Sequence, residues 1–292
     1  MDIDLSRPRL MGIVNASPES FSDGGANDTL ADQVDRALAL LDDGAHIIDI
    51  GGQSAITNVP ELDESLEIER VVPLIRAVLD QRPHAVISVD AYRPRVVDAA
   101  VAAGAAIVND VSALLHPEVA AICAASGAAL VIMHTRARPK QRLQDPSLYA
   151  DVAGDVVELL ADRVAAALAL GVAPTSIIVD PGVDFAKTPA QSIALLQELE
   201  QIVRLGRPCL LALSRKDFIG ALTGRAPRQR LAGTLAAIGY VGWRPGVIFR
   251  VHDVAAAADF LQVQAALEGR VPTDRDLALP EDIRHEHKHA DA

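Results

Sequence analysis

Short runs of β-branched and aliphatic residues, each closed by a polar side chain, alternate along the chain with longer alanine- and leucine-rich stretches at helical spacing. The clearest run is Ile177-Ile178-Val179-Asp180-Pro181-Gly182. Apolar at every position before the acid, it reads as a strand buried on both faces and covered by helices. Pro181 and Gly182 then stop the strand and turn the chain. Seven more runs share the form, at residues 10–15, 47–52, 86–90, 106–110, 130–134, 210–216 and 247–253. Eight such units predict a closed (β/α)8 TIM barrel with its active site at the C-terminal ends of the strands. The polar ends should therefore meet in one pocket.

Between the runs, apolar periodicity predicts helices over residues 29–41, 64–79, 94–103, 117–125, 150–170, 230–241 and 254–267. The connections after the first two strands, and a basic one at 135–142, are long for such units, and long connections tend to be functional. Beyond Gly269 the periodicity fades. Residues 1–269 are expected to form one barrel domain and 270–292 a polar, disordered tail, in which His285, His287 and His289 read as solvated rather than metal-binding.

Composition changes this picture little. Half of the 292 residues are hydrophobic but only 3% aromatic, so the core must be aliphatic, as barrel layers allow. A formal charge of -12 argues against a nucleic-acid or anionic-membrane partner and makes any phosphate site local. No apolar run is long enough to span a bilayer, and Met1-Asp2-Ile3-Asp4 lacks the features of a signal peptide. With Cys123 and Cys209 as the only cysteines, a cytoplasmic protein without disulfides is expected.

Asp90, Asn109 and Asp180 end three of the runs. Two acids and an amide facing one cavity suit a flat heterocycle with a guanidine-like edge, since a carboxylate accepts two parallel N–H bonds. Each acid could instead cap the following helix. Lys216, Arg250 and His252 bring positive charge from the last two runs, near where barrels of this class hold phosphate. The other reading pairs them with Asp90 and Asp180 as structural ion pairs. Asn15 could join phosphate oxygens around Mg2+, and His134 reads as a structural residue. No zinc ligand set, Walker-type loop, dinucleotide fingerprint or serine triad is present.

These residues carry a resemblance to the dihydropteroate synthase family over about residues 9–268. It rests on Met11-Gly12-Ile13-Val14-Asn15, Ser20-Phe21-Ser22-Asp23-Gly24-Gly25, Asp49-Ile50-Gly51-Gly52, Ser88-Val89-Asp90, Asn109-Asp110, Asp180-Pro181-Gly182, Ser214-Arg215-Lys216 and Arg250-Val251-His252-Asp253. The resemblance implies the same barrel and a transferase of folate biosynthesis. Such an enzyme joins 6-hydroxymethyl-7,8-dihydropterin diphosphate to p-aminobenzoate, with Mg2+ assisting loss of diphosphate. Carried over, Asp90, Asn109, Met133, Asp180, Phe185 and Lys216 would bind the pterin, with Asp90, Asp180 and Lys216 catalytic. Asn15, Arg250 and His252 would hold diphosphate, Asn15 with the Mg2+. Phe21, Ser214 and Asp217 would lie on the aminobenzoate side, and a homodimer through outer helices is expected.

Two departures bear on the amine. Where the family's second loop reads Glu-Ser-Thr-Arg-Pro, this chain has Gln53-Ser54-Ala55-Ile56-Thr57, and where it has a serine after the lysine, this chain has Asp217. An acid there would repel a second carboxylate. The primary expectation is thus a dihydropteroate synthase with changed amine preference. The alternatives are a pterin-binding paralogue with a carrier or regulatory role and, further off, a corrinoid-linked methyltransferase.

Overall fold

The computed structural model describes residues 3–16, 29–53, 60–280 and 283. Phe21, Ala55, Ile56, His285, His287 and His289, on which expectations were placed, lie outside the described residues. The strands are β1 (Arg9–Asn15), β2 (Ile47–Gly51), β3 (Val86–Asp90), β4 (Ile107–Asp110), β5 (Ala129–Met133), β6 (Ile177–Asp180), β7 (Cys209–Leu211) and β8 (Val247–Val251). They pair in sequence order into a closed barrel, and β8 returns to lie parallel to β1. The helices are α1 (Leu30–Asp42), α2 (Glu64–Gln81), α3 (Pro94–Ala102), α4 (Pro117–Ser126), α5 (Val152–Ala169), α6 (Pro189–Gln197), α7 (Leu199–Val203), α8 (Asp217–Thr223), α9 (Leu231–Val241) and α10 (Val254–Leu267). The expected TIM barrel is the fold.

Local chemistry starts the helices where the pattern places them. Thr29 caps α1 in a reciprocal box with Asp32, and Thr188 does the same for α6 with Gln191. Pro94 and Pro117 open α3 and α4, where a missing N–H costs nothing. The apolar stripes then close on the strands. Val34, Ala37, Val71, Leu74, Ile75 and Val78 bury against outward strand residues such as Ile48, Ile50, Val89 and Val108. Full enclosure of an aliphatic side chain of this size contributes roughly 1.5–3 kcal/mol.

Two elements differ from the sequence reading. The seventh run was expected to stay extended through Lys216, but β7 stops at Leu211. Arg215 sits at φ 60°, a left-handed conformation that no strand can contain, and it turns the chain into α8. The sixth unit carries two helices, α6 and α7, where the pattern marked none. Past Gly269, residues 270–280 are exposed and hold neither helix nor strand.

Strand parity builds the site. Inward positions alternate with outward ones, and the lower bore is filled by Met11, Ile47, Ile107, Ala129, Val131, Ile178, Leu210, Ala212 and Ile248, with Ile3 and Leu5 packed against them. One inward step further along β2, β3, β4, β6 and β8 come Asp49, Ser88, Asn109, Asp180 and Arg250. The bore therefore changes from apolar to polar within a rise of about 7 Å.

Candidate active site

The polar end of the bore opens into a cavity of about 450 Å3. Asp90, Asn109, Met133, Asp180, Phe185, Lys216, Asp217 and Arg250 all line it, so the structure brings together most of the residues singled out in the sequence. Asn15, Ser214 and His252 stand at neighbouring strand ends without lining it.

Arg250 is the hub of the floor. Its Nε donates to Asp49 Oδ2 at 2.6 Å and its Nη2 to Asp90 Oδ2 at 3.0 Å. Asp49 is wholly buried, whereas Asp90 keeps 26% of its side chain open to the cavity. One guanidinium between two acids cannot neutralise both. Burial accordingly raises Asp90 to about 7; Arg250 opposes this, while Asp49 and Glu67 add to it. The ion pair weighed in the sequence thus exists at Asp90, and Arg250 also reaches Asp49.

Asp49 is the first residue that sequence reasoning missed. Its Oδ2 also accepts from Asn109 Nδ2 at 3.2 Å. This contact sets the amide: Nδ2 is engaged below, and among the described residues Asn109 Oδ1 is left buried without a protein partner. Parity with Ile47 was the available signal, but Ile48 and Ile50 on either side make Asp49 look like the middle of a strand rather than part of a site.

Asp180 is 3% exposed and accepts from the Gly182 N–H at 2.7 Å. Burial raises its pKa, against that hydrogen bond and the charges of Lys216, Lys187 and Arg250. Gly182 has φ +67°, and a Cβ there would lie 2.0 Å from the His134 carbonyl oxygen, so only glycine allows the turn. Lys216 Nζ donates to the Val183 carbonyl at 2.9 Å and stands 4.6 Å from the centre of the Phe185 ring. Burial lowers its pKa while Asp184 and Asp180 hold it up. Lys216 is therefore not in a direct ion pair with Asp180, as one sequence reading had it.

His252 needs a correction. It was read as a source of positive charge, but burial, then Arg215 and Arg250, push its pKa down to about 4, so the ring is neutral at pH 7. Its Nδ1 lies 3.0 Å from Ser214 Oγ, which also accepts from the His252 N–H at 3.3 Å. Ser214 thus serves the histidine from outside the cavity. Asn15 ends β1 half-buried, beside Gly51 of β2.

Asp217 lines the rim with its side chain 52% exposed. Its carboxylate takes Arg230 Nη1 at 3.3 Å, and its N–H donates to the Asp184 carboxylate. The repulsion expected from this acid is thus partly offset by Arg230. The basic connection 135–142 also reaches the cavity, through Arg138, Lys140 and Arg142. Beside it Glu67, 2% exposed, gathers Arg93 and Gln53, and these in turn hold the backbone of Leu62. Nothing in the spacing of Gln53, Glu67 and Arg93 marks them as partners, because they belong to three separate elements.

Comparison with known proteins identifies the family. A family of pterin binding enzymes matches residues 11–252. The dihydropteroate synthase of Synechocystis sp. is 41% identical over 263 residues, 89% of this chain and 90% of that protein. That of Bacillus subtilis is 40% identical over 260 residues, 88% of each. The structure of Xanthomonas albilineans dihydropteroate synthase with 4-aminobenzoic acid has a TM-score of 0.84 at 40% identity, covering 92% of this chain and 96% of that one. The same enzyme in complex with 7,8-dihydropteroate gives 0.81 at 40% identity, over 92% and 97%. A family model that matches residues 11–252, and likeness along nearly the whole length, place the chain in the dihydropteroate synthase family of pterin-binding enzymes.

Proposed function

We propose that the chain is a transferase that condenses 6-hydroxymethyl-7,8-dihydropterin diphosphate with p-aminobenzoate, or a related aryl amine, to give dihydropteroate and diphosphate in folate biosynthesis. The observation that carries this reading is the acceptor set on the floor: Asp180, the Asn109 amide and the partly open Asp90, all lining one cavity of about 450 Å3. An aminopyrimidine edge offers the donors that such acceptors need. The Lys216 ammonium beside Phe185 suits the ring's carbonyl oxygen.

In the step itself the amine nitrogen bonds to the pterin CH2 carbon as the C–O bond to diphosphate breaks. The electron pair leaves with diphosphate, and the amine's proton passes to diphosphate or solvent. Asp180, held by the Gly182 N–H, faces positive charge that develops on the pterin. Arg250 and the neutral His252 ring lie at the end of β8, where they would donate to diphosphate oxygens.

The donor set also fits magnesium. Among the described residues no three His, Cys, Asp or Glu side chains gather as a cage. Mg2+ that arrives on phosphates needs only one or two protein oxygens, and the half-buried amide of Asn15 is one such oxygen. Bound between Asn15 and diphosphate, the ion would draw charge off the leaving group.

Leu222, Tyr240, Val263 and Leu267 are each more than half exposed on α8, α9 and α10. They support a homodimer through these outer helices, which light scattering would check. Among the described residues no helix is long and apolar enough to cross a membrane. Cys123 and Cys209 are buried and unbridged, which supports a cytoplasmic setting.

A second reading, a paralogue that binds pterin without condensing it, draws on Asp217 at the rim. One experiment separates the two. The protein is incubated with dihydropterin-CH2-diphosphate, Mg2+ and labelled p-aminobenzoate. Labelled dihydropteroate, lost on Asp180→Ala, is the expected result. Pterin binding with no product from any aryl amine would overturn the synthase reading in favour of the paralogue.

A further inference from the structure

Lys187 lies outside the machinery described so far, and among the described residues it is one of the largest fully buried side chains, with 0% of its surface exposed. Its Nζ is 2.9 Å from His134 Nδ1, 2.9 Å from the Gly182 carbonyl oxygen and 3.0 Å from the Phe185 carbonyl oxygen. Three acceptors match the three protons of an ammonium, while burial pushes the Lys187 pKa down to about 7 against the charges of Asp180 and Asp155. Because His134 Nδ1 accepts, the ring proton sits on Nε2 and is donated to Asp155 Oδ1 at 2.8 Å. Asp155 in turn takes a two-pronged contact from Arg136, at 3.0 Å and 2.7 Å, where the basic connection after β5 begins. Two connections that line the cavity are therefore joined through one chain of side chains, buried at Lys187 and His134 and reaching the surface at Arg136.

The residues that Lys187 holds are those on which the floor depends. Gly182 supplies the N–H that fixes Asp180, and Phe185 carries the ring beside Lys216. Asp184, between them, sits at φ 68°, and Ala186, between Phe185 and Lys187, at φ 51°. Non-glycine residues persist in that conformation only where the surroundings over-determine it. Burying a lysine to tie two loop carbonyls is a costly way to close a loop whose only task is to connect.

We propose that Lys187 is a positioning residue: through the Gly182 and Phe185 carbonyls it holds Asp180 and Phe185 in the geometry that binds the pterin, and His134 and Asp155 orient it. The proposal rests on the pterin reading of the cavity, and the test separates failure of one from failure of the other.

Lys187→Arg keeps the donors and strains the volume, whereas Lys187→Met keeps the volume and removes the donors. Binding of dihydropterin-CH2-diphosphate is measured by calorimetry, well below each variant's melting temperature. If positioning through donated hydrogen bonds is the role, Met weakens binding about tenfold or more, the loss expected for a buried hydrogen-bond set. Arg then retains the tighter binding of the two. The reverse order, or a fall in melting temperature with unchanged affinity, makes Lys187 a packing element and overturns the proposal. Should either variant fail to fold, Asp155→Ala takes its place, because Asp155 does not line the cavity. A severalfold loss of affinity supports the chain of contacts, and unchanged affinity overturns it. If the unmodified protein itself fails to bind the pterin diphosphate, the pterin reading falls and the proposal with it. Loss confined to the variants or its absence tests Lys187 alone.

Discussion

The floor of the cavity and its rim are built on different principles. On the floor, Asp49, Asp90, Asn109, Asp180 and Arg250 stand at inward positions near the ends of β2, β3, β4, β6 and β8, so the barrel's backbone hydrogen bonds and parity hold them in place. On the rim, Asp217, Arg138, Lys140 and Phe185 come from connections whose positions depend on side-chain ties such as Arg230 to Asp217. Charges on the floor are largely buried and hydrogen-bonded, so each loss leaves an unsatisfied partner behind. Charges on the rim are partly solvated, and their loss is cushioned by water. A rim of this kind therefore tolerates substitution at lower cost than the floor does.

The largest effect is expected at Asp180. Asp180→Ala removes the buried acceptor and should weaken pterin diphosphate binding by roughly a hundredfold, two charge-assisted hydrogen bonds' worth. Calorimetric titration checks this, and retention of affinity would break the floor's claim to the ring. Arg250→Met leaves Asp49 and Asp90 without their shared cation. It should cost about 3–5 kcal/mol of stability, read from urea unfolding. A loss within the range of a surface substitution would show that the floor's charges are not coupled as described.

The floor also makes a pH prediction. Asp90 titrates near 7 in the folded chain against an ordinary 3.8, so between these values the native state holds a proton that the unfolded chain has lost. Stability should therefore fall as pH rises from about 4 to about 7. Asp90→Asn should flatten that slope in melts taken at intervals across the window. A slope as steep in the variant would assign it to other groups.

The smallest effect belongs to the rim. Asp217 is half exposed and its pair with Arg230 contributes roughly 0–1 kcal/mol, so Asp217→Ser should leave the melting temperature within a degree or two. Turnover with p-aminobenzoate should rise severalfold as a repelling charge is removed. Steady-state kinetics that show no change in the KM for the amine would place Asp217 outside the amine's reach.

Hydrophobic runs that end in a polar residue were enough to determine eight parallel strands, a closed barrel and the end at which chemistry gathers. The cause is local: a strand buried on both faces must be apolar until it emerges, so its polar end is visible in one dimension. The same logic made Asp90, Asn109 and Asp180 legible one by one. Asp49 was not, because its sequence neighbours are isoleucines on the opposite face and only the register with β3 and β4 puts it beside Asn109. Nor was the neutrality of His252, which follows from burial and from two arginines 2 and 37 positions away in the chain. Nothing in the sequence reading singled out Lys187. Only the folding of β5 against β6, which places His134 over Gly182, encloses its ammonium between three acceptors. Residue type and period settle which side chains leave the core. Which charges then share a buried space, and so which of them stay charged, is a property of distances that exist only once the barrel has closed.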